Sequence, residues 1–382
     1  MTIPDLRPIH AFLDERHALL AGEASDFAAR EVASRPEPRD DDAARRDARD
    51  LLVRIGGAGW FEPIQNQDWR ACCLVREALA AASPLADAVF ALQGLGTLPI
   101  LFSENESARE RWVDAAIAGR AMAAFAMTEP EAGSDVAAMA TTARRDGDSY
   151  RLDGTKTYIS NAGIADFYTV FAKTGTKESG RTELSAFVVS AKMPGFSVVE
   201  RTSMMAPHPI GEIAFEGCRV PAEDMVGNEG DGFRLAMETL DTFRSSVGAA
   251  ACGMARRALD EALRYALTRR QFGRLLAEHQ LIQEKLADMT TELDAARLLV
   301  YRAAHLKNSG ATSVTREASE AKLFATEAAC RIVDSALQIH GGMGLVRGNV
   351  VERLYRDVRA LRIYEGTSEI QKLVIAGQLL KE

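Results

Sequence analysis

One carboxylate near the end of the chain stands where a general base could be held. Glu365 is followed by Gly366, which leaves room for a ligand to approach the backbone. Thr367 or Ser368 can cap the amphipathic run 370–380, because a hydroxyl accepts the unpaired amide hydrogens that open a helix. A carboxylate fixed there could remove a proton from a bound molecule. An acidic residue before a helix is more often a solvated side chain that complements the helix dipole.

The loop 126–135 lies where predicted helices give way to predicted strands, and it carries hydroxyls beside a glycine. Thr128 and Ser134 could bond a polar heterocycle or a phosphate. Gly133 lets the backbone come close to such a ligand. The same composition is typical of an ordinary loop rich in turn-forming residues, so the loop alone does not decide between the two interpretations.

A predicted strand follows at 157–160, and its alternation places Tyr158 and Ser160 on the same face. An aromatic side chain beside a hydroxyl suits a flavin ring, and it equally suits the surface of a sheet. Other motifs are needed to separate these two interpretations.

Two further segments could contact phosphate groups. Arg269 follows a helix that ends near Leu267, where a guanidinium can bind phosphate through two hydrogen bonds or satisfy the helix dipole. The run 338–344 ends another helix with three glycines, which indicates close approach of another group to the backbone. It is not the dinucleotide-binding fingerprint, because no strand precedes it.

The composition excludes several classes of protein. A chain of 382 residues exceeds what one core usually supports, so two or three domains are expected. Its net charge of −8 argues against non-specific binding to nucleic acids, which requires a basic face. No uninterrupted apolar run reaches the length of a transmembrane helix, and the first residues lack the order of a secretory or transit signal. We therefore expect a cytoplasmic globular protein with neither a membrane nor a nucleic acid as partner.

The cysteines show no spacing typical of a metal site, and no metal is predicted. They are Cys72, Cys73, Cys218, Cys252 and Cys330. Adjacent cysteines are awkward partners for a disulfide framework. We therefore interpret the cysteines as small buried side chains in a reducing compartment.

The pattern along the chain predicts three domains of an α+β fold. Residues 1–120 show helical spacing and are predicted to form an N-terminal helical domain. Residues 121–230 contain short β-branched runs separated by turns, which predict a middle domain built as an antiparallel β-sandwich or barrel. Apolar residues step by four and three along 282–300, so residues 231–382 are predicted to form a C-terminal four-helix bundle.

Taken together and in this order, these motifs resemble those of the acyl-CoA dehydrogenase family, from about Glu77 to Glu382. Each motif is weak alone, but five in register over a matching helix–sheet–helix organisation form a specific signal. The resemblance implies FAD as cofactor, an acyl-CoA thioester as substrate and an electron-transferring flavoprotein as electron acceptor. It also implies a homotetramer, built as a dimer of dimers, and a place in fatty acid β-oxidation.

Carried over residue by residue, the resemblance assigns a set of contacts with FAD. They are Met127, Thr128, Ser134, Tyr158, Ile159, Ser160, Arg269, Phe272, Gln280, Gln338, Gly341, Gly342, Thr367 and Glu369. Thr128 would lie near the polar edge of the flavin ring. The segment 158–160 would cover the ring, with its last hydroxyl near N5, where the family often has Trp-Ile-Thr. Arg269, Phe272 and Gln280 would reach the FAD of a neighbouring subunit.

The same resemblance assigns the substrate contacts and the base. The substrate contacts would be Ser134, Asp241, Arg244 and Gly366. Glu365 matches the catalytic glutamate of most of the family, which removes an α-proton while the β-hydrogen leaves as hydride to the flavin. A minority carries the base just before Arg244, where this chain has Phe243, which cannot act as a base. We therefore expect α,β-dehydrogenation of an acyl-CoA to the trans-2-enoyl-CoA.

Other functions on the same fold stay open at this point. An acyl-CoA oxidase or a flavin monooxygenase would use the same scaffold, although Glu365 and the length of the chain favour a dehydrogenase. A DNA-associated member of the family usually adds a basic C-terminal region. This chain instead ends in Leu-Lys-Glu and is acidic overall, which argues against that function.

Three segments bear on the substrate. The stretch 83–86 lacks the arginine that dicarboxylyl members tend to place in this part of the cavity, which favours an uncharged acyl chain. Gln93 could close the end of the cavity or simply lie near a helix terminus. The loop 204–210 departs from the usual polar pattern of the family, and its His208 could touch the substrate or stand exposed to solvent.

Overall fold

The computed structural model describes residues 4–103, 105–176, 180 and 182–381. The chain forms two compact units, which are named here by their content. The helical unit comprises Met1–Glu37, Gln67–Asp87 and Asp241–Glu382, and the sheet unit comprises Pro38–Asn66 and Ala88–Leu240. The division into three domains at residues 120 and 230 stays a prediction.

Helices precede and follow the main sheet along the chain. The helices are α1 Glu15–Phe27, α2 Asp41–Gly57, α3 Glu62–Gln65, α4 Trp69–Ala82, α5 Pro84–Leu101, α6 Glu106–Ala108, α7 Asp114–Ile117, α8 Gly232–Thr268, α9 Gln280–Asn308, α10 Thr315–His340, α11 Val350–Val358 and α12 Ser368–Leu379. The strands are β1 Ala123–Ala126, β2 Thr142–Asp146, β3 Ser149–Ser160, β4 Phe167–Thr176, β5 Thr182–Ser190, β6 Phe196–Arg201, β7 Ile210–Pro221, β8 Met225–Val226, β9 Arg270–Gln271 and β10 Arg274–Leu275. This order confirms the predicted α+β fold.

In the helical unit, α10 is the helix against which several others pack. It lies along α9, and α11 and α12 also contact it. The predicted seam of α9 is buried from Met289 to Val300 at steps of four and three. The facing side of α10 is rich in alanine, which lets neighbouring helices approach closely. Helix α12, which follows Glu365, therefore packs against a helix that is itself held in place by its neighbours.

In the described part of the sheet unit, β1–β8 form one sheet with the order β6-β7-β3-β2-β4-β5-β8, and β1 pairs with β4. Strand β4 runs parallel to β1 and β2, whereas the pairs β2–β3, β3–β7, β4–β5, β5–β8 and β6–β7 are antiparallel. Large side chains fill its core, including Tyr150, Tyr168, Phe187 and Phe215.

Strand β3 joins two runs that the sequence pattern separates. The pattern predicts a turn at Asp153 and Gly154, but the strand continues through them. Gly154 has a φ of +147°, and a Cβ there would lie 2.6 Å from Thr141 Oγ1, so this glycine permits close packing rather than a turn. Strands β1 and β2 are not predicted from the sequence pattern, because neither contains a β-branched run. The sequence of β1 is rich in alanine, and that of β2 is rich in charged residues.

Within the described part of the chain, one helix meets the length and hydropathy criteria for a membrane span. It is α5, whose window of 18 residues has a mean hydropathy of 1.3 and is 78% buried within the protein. A core helix of a globular protein meets the same criteria, so this finding is weak evidence for a membrane span.

Gly253 in α8 provides a test of packing in the helical unit. A Cβ at this position would lie 2.2 Å from the backbone oxygen of Glu77 in α4. We expect Gly253→Ala to lower the free energy of unfolding by about 1–3 kcal/mol, because the backbone of α4 must move. Urea unfolding followed by circular dichroism measures the change.

Gly22 in α1 is the matched control, because a Cβ there meets no heavy atom within 4 Å. Gly22→Ala is expected to leave stability unchanged or raise it by up to about 1 kcal/mol, as alanine favours a helix. Equal unfolding midpoints for the two variants would contradict the packing at Gly253.

Candidate active site

The loop that carries Glu365 leads directly into α12. Thr367 caps α12, as predicted, since its hydroxyl accepts a hydrogen bond from the Ile370 N–H at 3.3 Å. Glu365 itself has a φ of +53°, a left-handed conformation that is uncommon for a residue with a side chain. Such a backbone costs about 1–3 kcal/mol, so the surrounding contacts must hold it in place.

Two side chains hold the carbonyl groups of this loop. Lys322 Nζ of α10 donates to the Gly366 oxygen at 2.7 Å. Gln371 Nε2 of α12 donates to the Glu365 oxygen at 3.2 Å and to the Gly366 oxygen at 3.0 Å. A Cβ on Gly366 would lie 2.5 Å from Gln371 Nε2. The structure gives this glycine a further reason: its φ is +88°, and the space in the direction of a Cβ is taken by an amide of the protein. The approach of a ligand to its backbone stays a prediction.

A second residue of α10 fixes both sides of the loop. Glu327 Oε1 accepts hydrogen bonds from Arg362 Nε at 2.8 Å and from Ser368 Oγ at 2.6 Å. Arg362 precedes the loop and Ser368 follows it, so a single carboxylate ties the two ends together. The loop that bears Glu365 is consequently attached to α10 at two points.

The carboxylate of Glu365 includes a buried oxygen without a hydrogen bond. Among the residues that the structure describes, its Oε2 has no hydrogen-bond partner. Burial raises the pKa of Glu365 to about 6, while the positive charges of Arg76 and Lys322 oppose the shift. A carboxylate with this pKa is a stronger base than an exposed glutamate and is still mostly ionised at pH 7. That combination is what proton abstraction requires.

A buried ion pair contributes to the electrostatics of Glu365. Arg76 donates to the two carboxylate oxygens of Asp87 at 2.7 and 2.9 Å and to Ser246 Oγ at 2.9 Å. Its positive charge lowers the pKa of Glu365, whereas the charge of Asp87 raises it. The ring of Phe243 is also buried, with its centroid 5.6 Å from the guanidinium carbon of Arg76. The position of the minority base therefore holds an aromatic side chain in the core.

The predicted substrate contacts on α8 bind one another in this structure. Arg244 forms a hydrogen bond with Asp241, whose second oxygen accepts from Thr315 Oγ1 at 2.7 Å. Arg244 is almost fully buried, and its positive charge lowers the pKa of Glu365. The helical unit thus brings Asp241 and Arg244 into one network of charges with Glu365. Their role toward the substrate stays a prediction.

In the sheet unit, a buried ion pair ties the predicted flavin loop to β3. Lys156 Nζ donates to Glu129 Oε1 at 2.7 Å and to the Met127 oxygen at 3.1 Å. The Thr157 N–H donates to the Thr128 oxygen at 2.9 Å. Met127 and Thr128 therefore lie beside the end of β3, and these two predicted parts of a flavin site are brought together.

The end of β3 has the irregular backbone of a bulge. The register with β7 shifts between Lys156 and Ile159, and Tyr158 has a φ of +53° with its side chain 60% exposed. Ile159 points into the core of the sheet unit, so only its backbone is available to a cofactor. Ser160 is half-buried and lies 2.8 Å, Oγ to Nε2, from His208.

The structure shows where two polar residues lie whose positions the sequence left open. His208 is a half-buried partner of Ser160 rather than an exposed loop residue. Gln93 lies in the middle of α5 and is fully buried. Its amide donates to the oxygens of Ala116 and Ala121 and accepts from the Ala123 N–H. The hydrogen-bonding groups of the Gln93 amide are therefore satisfied by the backbone, and the residue does not lie near a helix terminus.

Three predicted cofactor contacts lie on or near a projecting hairpin of the helical unit. Strands β9 and β10 pair across Phe272 and Gly273, which both have positive φ. Phe272 is 93% exposed, and Arg269 and Gln280 are exposed as well. A single exposed aromatic side chain is common on protein surfaces, so the contact of Phe272 with a cofactor stays a prediction.

Gln338 and the two glycines that follow it lie exposed at the end of α10. Gly341 ends the helix with a φ of +57°, which favours glycine. A Cβ at Gly341 or Gly342 would meet no heavy atom within 4 Å, so the backbone here is open. The same is true of Gly133 beside the exposed Ser134.

Each unit, taken by itself, has features that fit contact with a flavin nucleotide. Tyr158 and Phe272 expose aromatic faces on backbones with positive φ, which the chain maintains at a cost in free energy. Open backbone at Gly133, Gly341 and Gly342 suits the close approach of a ligand. Among the described residues, no group of His, Cys, Asp or Glu side chains could hold a metal ion. The cysteines are free thiols, of which Cys330 is half-buried and the others are buried.

Four residues that position or charge the site are not among those predicted from the sequence. They are Arg76, Asp87, Lys322 and Gln371. Arg76 and Lys322 do leave a signal, since each places a charge on a helix face that otherwise carries small or apolar side chains such as Cys73 and Ala325. A charge in such a place needs a partner, which is a sign of function or of a buried pair. Gln371 gives no such signal, because a glutamine near a helix start is ordinary.

The comparisons with known proteins agree with this geometry. Residues 124–218 match the family model described as acyl-CoA dehydrogenase, middle domain, and residues 230–380 match acyl-CoA dehydrogenase, C-terminal domain. The solved structure of butyryl-CoA dehydrogenase from Megasphaera elsdenii is similar with a TM-score of 0.88 at 35% identity, over 96% of this chain and 99% of that one. The chain belongs to the acyl-CoA dehydrogenase family. This acyl-CoA dehydrogenase family member is therefore an oxidoreductase, and its cofactor is FAD.

Two of the similar proteins have names that describe reductases. The 3-(aryl)acrylate reductase of Clostridium sporogenes (strain ATCC 15579) is 41% identical to this family member, over 97% of this chain and 100% of the relative. A subunit of the caffeyl-CoA reductase–Etf complex of Acetobacterium woodii is 37% identical, over 97% of this chain and 100% of the relative. The family therefore includes similar proteins whose names describe reductases as well as dehydrogenases.

The raised pKa of Glu365 has a consequence for stability that pH can reveal. Its pKa is about 6 in the folded protein and about 4.5 when the chain is unfolded. The folded state therefore binds more protons between these values, and stability falls as pH rises through them. Glu365→Gln removes this loss, so the apoprotein variant should exceed wild type in stability above pH 7, by at most about 2 kcal/mol. The difference should shrink toward pH 4.5.

Urea midpoints measured from pH 4.5 to pH 8 test this prediction. Glu369→Gln is the control, because the pKa of the exposed Glu369 is lowered, mainly by a hydrogen bond to its own backbone. That substitution is not expected to stabilise the protein at pH 8. A Glu365→Gln variant less stable than wild type at pH 8 would contradict the desolvation of Glu365.

Proposed function

We propose that the protein catalyses α,β-dehydrogenation of an acyl-CoA thioester to the trans-2-enoyl-CoA, with Glu365 as the base. The observation that carries this proposal is the buried Oε2 of Glu365, which has no hydrogen-bond partner among the described residues and belongs to a carboxyl with a raised pKa. An unpaired buried carboxylate costs free energy, and retention of such a group supports a function for it. A weakly acidic α-hydrogen of a thioester is a suitable target for such a base.

FAD, when bound, supplies the acceptor for the hydride that leaves the β-carbon. Thr128, Tyr158 and Ser160 would hold its ring, and Ser134 would serve its phosphates and the CoA group. Arg269, Phe272 and Gln280 would reach the cofactor of a neighbouring subunit. The further cofactor contacts would be Met127, Ile159, Gln338, Gly341, Gly342, Thr367 and Glu369.

The residues of the helical unit perform the proton transfer. Glu365 accepts the α-proton, and its backbone N–H would donate to the thioester oxygen as negative charge develops there. One such donor is often worth about 3–4 kcal/mol of barrier. Lys322 and Gln371 hold the carbonyls of the loop, which keeps that N–H and the carboxylate in place. Asp241, Arg244 and Gly366 would contact the substrate.

The reverse reaction is a second candidate function, because of the two reductases among the similar proteins. The same carboxyl would then donate its proton to the α-carbon of an enoyl thioester. A pKa of about 6 leaves a fraction of Glu365 protonated at neutral pH, so the residue can serve in either direction. Initial rates of the purified enzyme, measured for a saturated acyl-CoA with an oxidised dye and for its enoyl-CoA with a reduced dye, show which of the two reactions it catalyses faster.

An electron-transferring flavoprotein is the proposed electron carrier, since one similar protein is a subunit of a complex named with Etf. An acyl-CoA with an uncharged acyl chain is the proposed substrate, and cytoplasmic β-oxidation its proposed setting. Slow reoxidation of the reduced enzyme in air is expected for a dehydrogenase. Rapid reoxidation with release of peroxide would favour an oxidase.

Replacement of the base provides the direct test of the reaction. Glu365→Gln keeps the shape of the side chain but cannot accept the α-proton. We expect the variant to retain FAD and to be reduced normally by dithionite, yet its flavin should not bleach with acyl-CoA under anaerobic conditions. Bleaching at a rate near that of wild type would show that Glu365 is not the base.

The exposed hairpin provides the test of assembly. Arg269→Ala is expected to lower FAD content or the fraction of homotetramer, because the guanidinium would bind the cofactor of the neighbouring subunit. Arg274→Ala on the same hairpin is the matched control, since Arg274 is equally exposed and has no proposed contact. Flavin absorbance and size-exclusion chromatography with light scattering measure both properties. Identical behaviour of the two variants would count against the contact.

A further inference from the structure

The contact between His208 and Ser160 has no role in the reaction proposed above. His208 Nε2 lies 2.8 Å from Ser160 Oγ, and Ser160 is the residue of β3 proposed to contact the flavin ring. The register of the sheet brings the two together. Ser160 pairs with Ile210 at the start of β7, and His208 precedes Ile210 by two residues.

Hydrogen bonds hold the segment that carries His208 against the end of β3. The Asn161 N–H donates to the Pro209 oxygen at 2.6 Å. Arg45 Nη2, from a side chain that is almost fully buried, donates to the Ile210 oxygen at 2.9 Å. Prolines on both sides of His208 also fix their own φ angles. The imidazole is therefore carried on a stiff backbone, and its place beside the hydroxyl is built into the fold.

The imidazole of His208 is neutral at pH 7. Burial, together with the guanidinium of Arg45, lowers the pKa of His208 to about 4, and the carboxylate of Asp41 opposes that shift. A neutral imidazole donates through one ring nitrogen and accepts through the other. Such a ring can fix the direction in which a neighbouring hydroxyl points its single hydrogen.

We propose that His208 is a positioning residue that fixes the direction of the Ser160 hydroxyl toward the flavin ring. The inference rests on the proposed contact between Ser160 and that ring. The hydroxyl of Ser160 has a single hydrogen. Its hydrogen bond with His208 therefore determines whether the hydroxyl donates to the edge of the ring or accepts from it. Reduction adds a hydrogen to N5, so the two directions suit the oxidised and the reduced ring differently. His208 thereby sets the ratio of reduced to oxidised flavin at a given potential.

A double-mutant cycle on the FAD-loaded enzyme tests this proposal without reliance on activity. The variants are His208→Phe, Ser160→Ala and the double substitution, each equilibrated anaerobically with a reference redox dye. A hydrogen bond worth about 1 kcal/mol corresponds to a change of about 3- to 10-fold in the ratio of reduced to oxidised flavin. We expect both single variants to change the ratio in the same direction, and the double variant to differ no further than Ser160→Ala.

Conservative substitution separates a positioning role from a merely structural one. The amide of His208→Gln can form the same hydrogen bond, so this variant should keep the ratio within about twofold of wild type. His208→Asn, whose amide is too short to reach, should behave like His208→Phe and serves as the second variant if the latter loses its flavin. Thermal unfolding and flavin content check that each variant is folded and loaded.

The failures of the two proposals have different signatures. If Ser160→Ala leaves both the flavin spectrum and the ratio unchanged, the proposed contact between Ser160 and the ring is wrong. If Ser160→Ala changes the ratio but His208→Phe does not, only the role of His208 is overturned. An effect of His208→Phe that persists in the Ser160→Ala background would likewise overturn it, since His208 would then act by another route.

Discussion

Keeping the carboxylate of Glu365 away from water is the constraint on which the helical site depends. Burial of an isolated carboxylate is strongly unfavourable and would leave the group protonated at neutral pH. The positive charges of Arg76 and Lys322 oppose that effect, while Asp87 offsets part of the effect of Arg76. The balance gives a base that is ionised at neutral pH yet stronger than an exposed glutamate. The left-handed backbone of Glu365 is a second cost that the same surroundings must sustain.

Helix α10 both balances the charge of Glu365 and supports the backbone of its loop. Lys322 is buried, which lowers its pKa to about 8, yet the charge of Glu365 favours its protonated form. Its ammonium also donates to the Gly366 oxygen, so the same side chain lowers the pKa of Glu365 and fixes the loop that carries it. One turn and a half further along, Glu327 ties Arg362 to Ser368. In the sheet unit, Lys156 has the corresponding structural task, because it joins β3 to Glu129 and the Met127 carbonyl.

Local signals in the sequence predicted the parts of the structure that local chemistry determines. The cap at Thr367, the buried seam of α9 and the region of short strands follow from hydroxyl chemistry and apolar periodicity. The partners of Glu365 could not be predicted in this way, because Arg76 and Lys322 lie far from it in the chain. Gly154 was placed in a turn because the atom that requires a glycine there belongs to Thr141 of another segment. The packing of Gly366 against Gln371, five residues further on, was missed because the sequence pattern does not show where that amide lies. The environment of His208 likewise depends on the register of β3 with β7.

Desolvation, balanced by the positive charges of Arg76 and Lys322, sets the proton affinity of Glu365. Carbon-13 NMR of the carboxyl groups of the labelled protein measures this directly, with the Glu365→Gln spectrum used to assign the resonance. We expect the Glu365 carboxyl to titrate with a midpoint near 6. A midpoint at or below about 4.5, the ordinary value for glutamate, would contradict it.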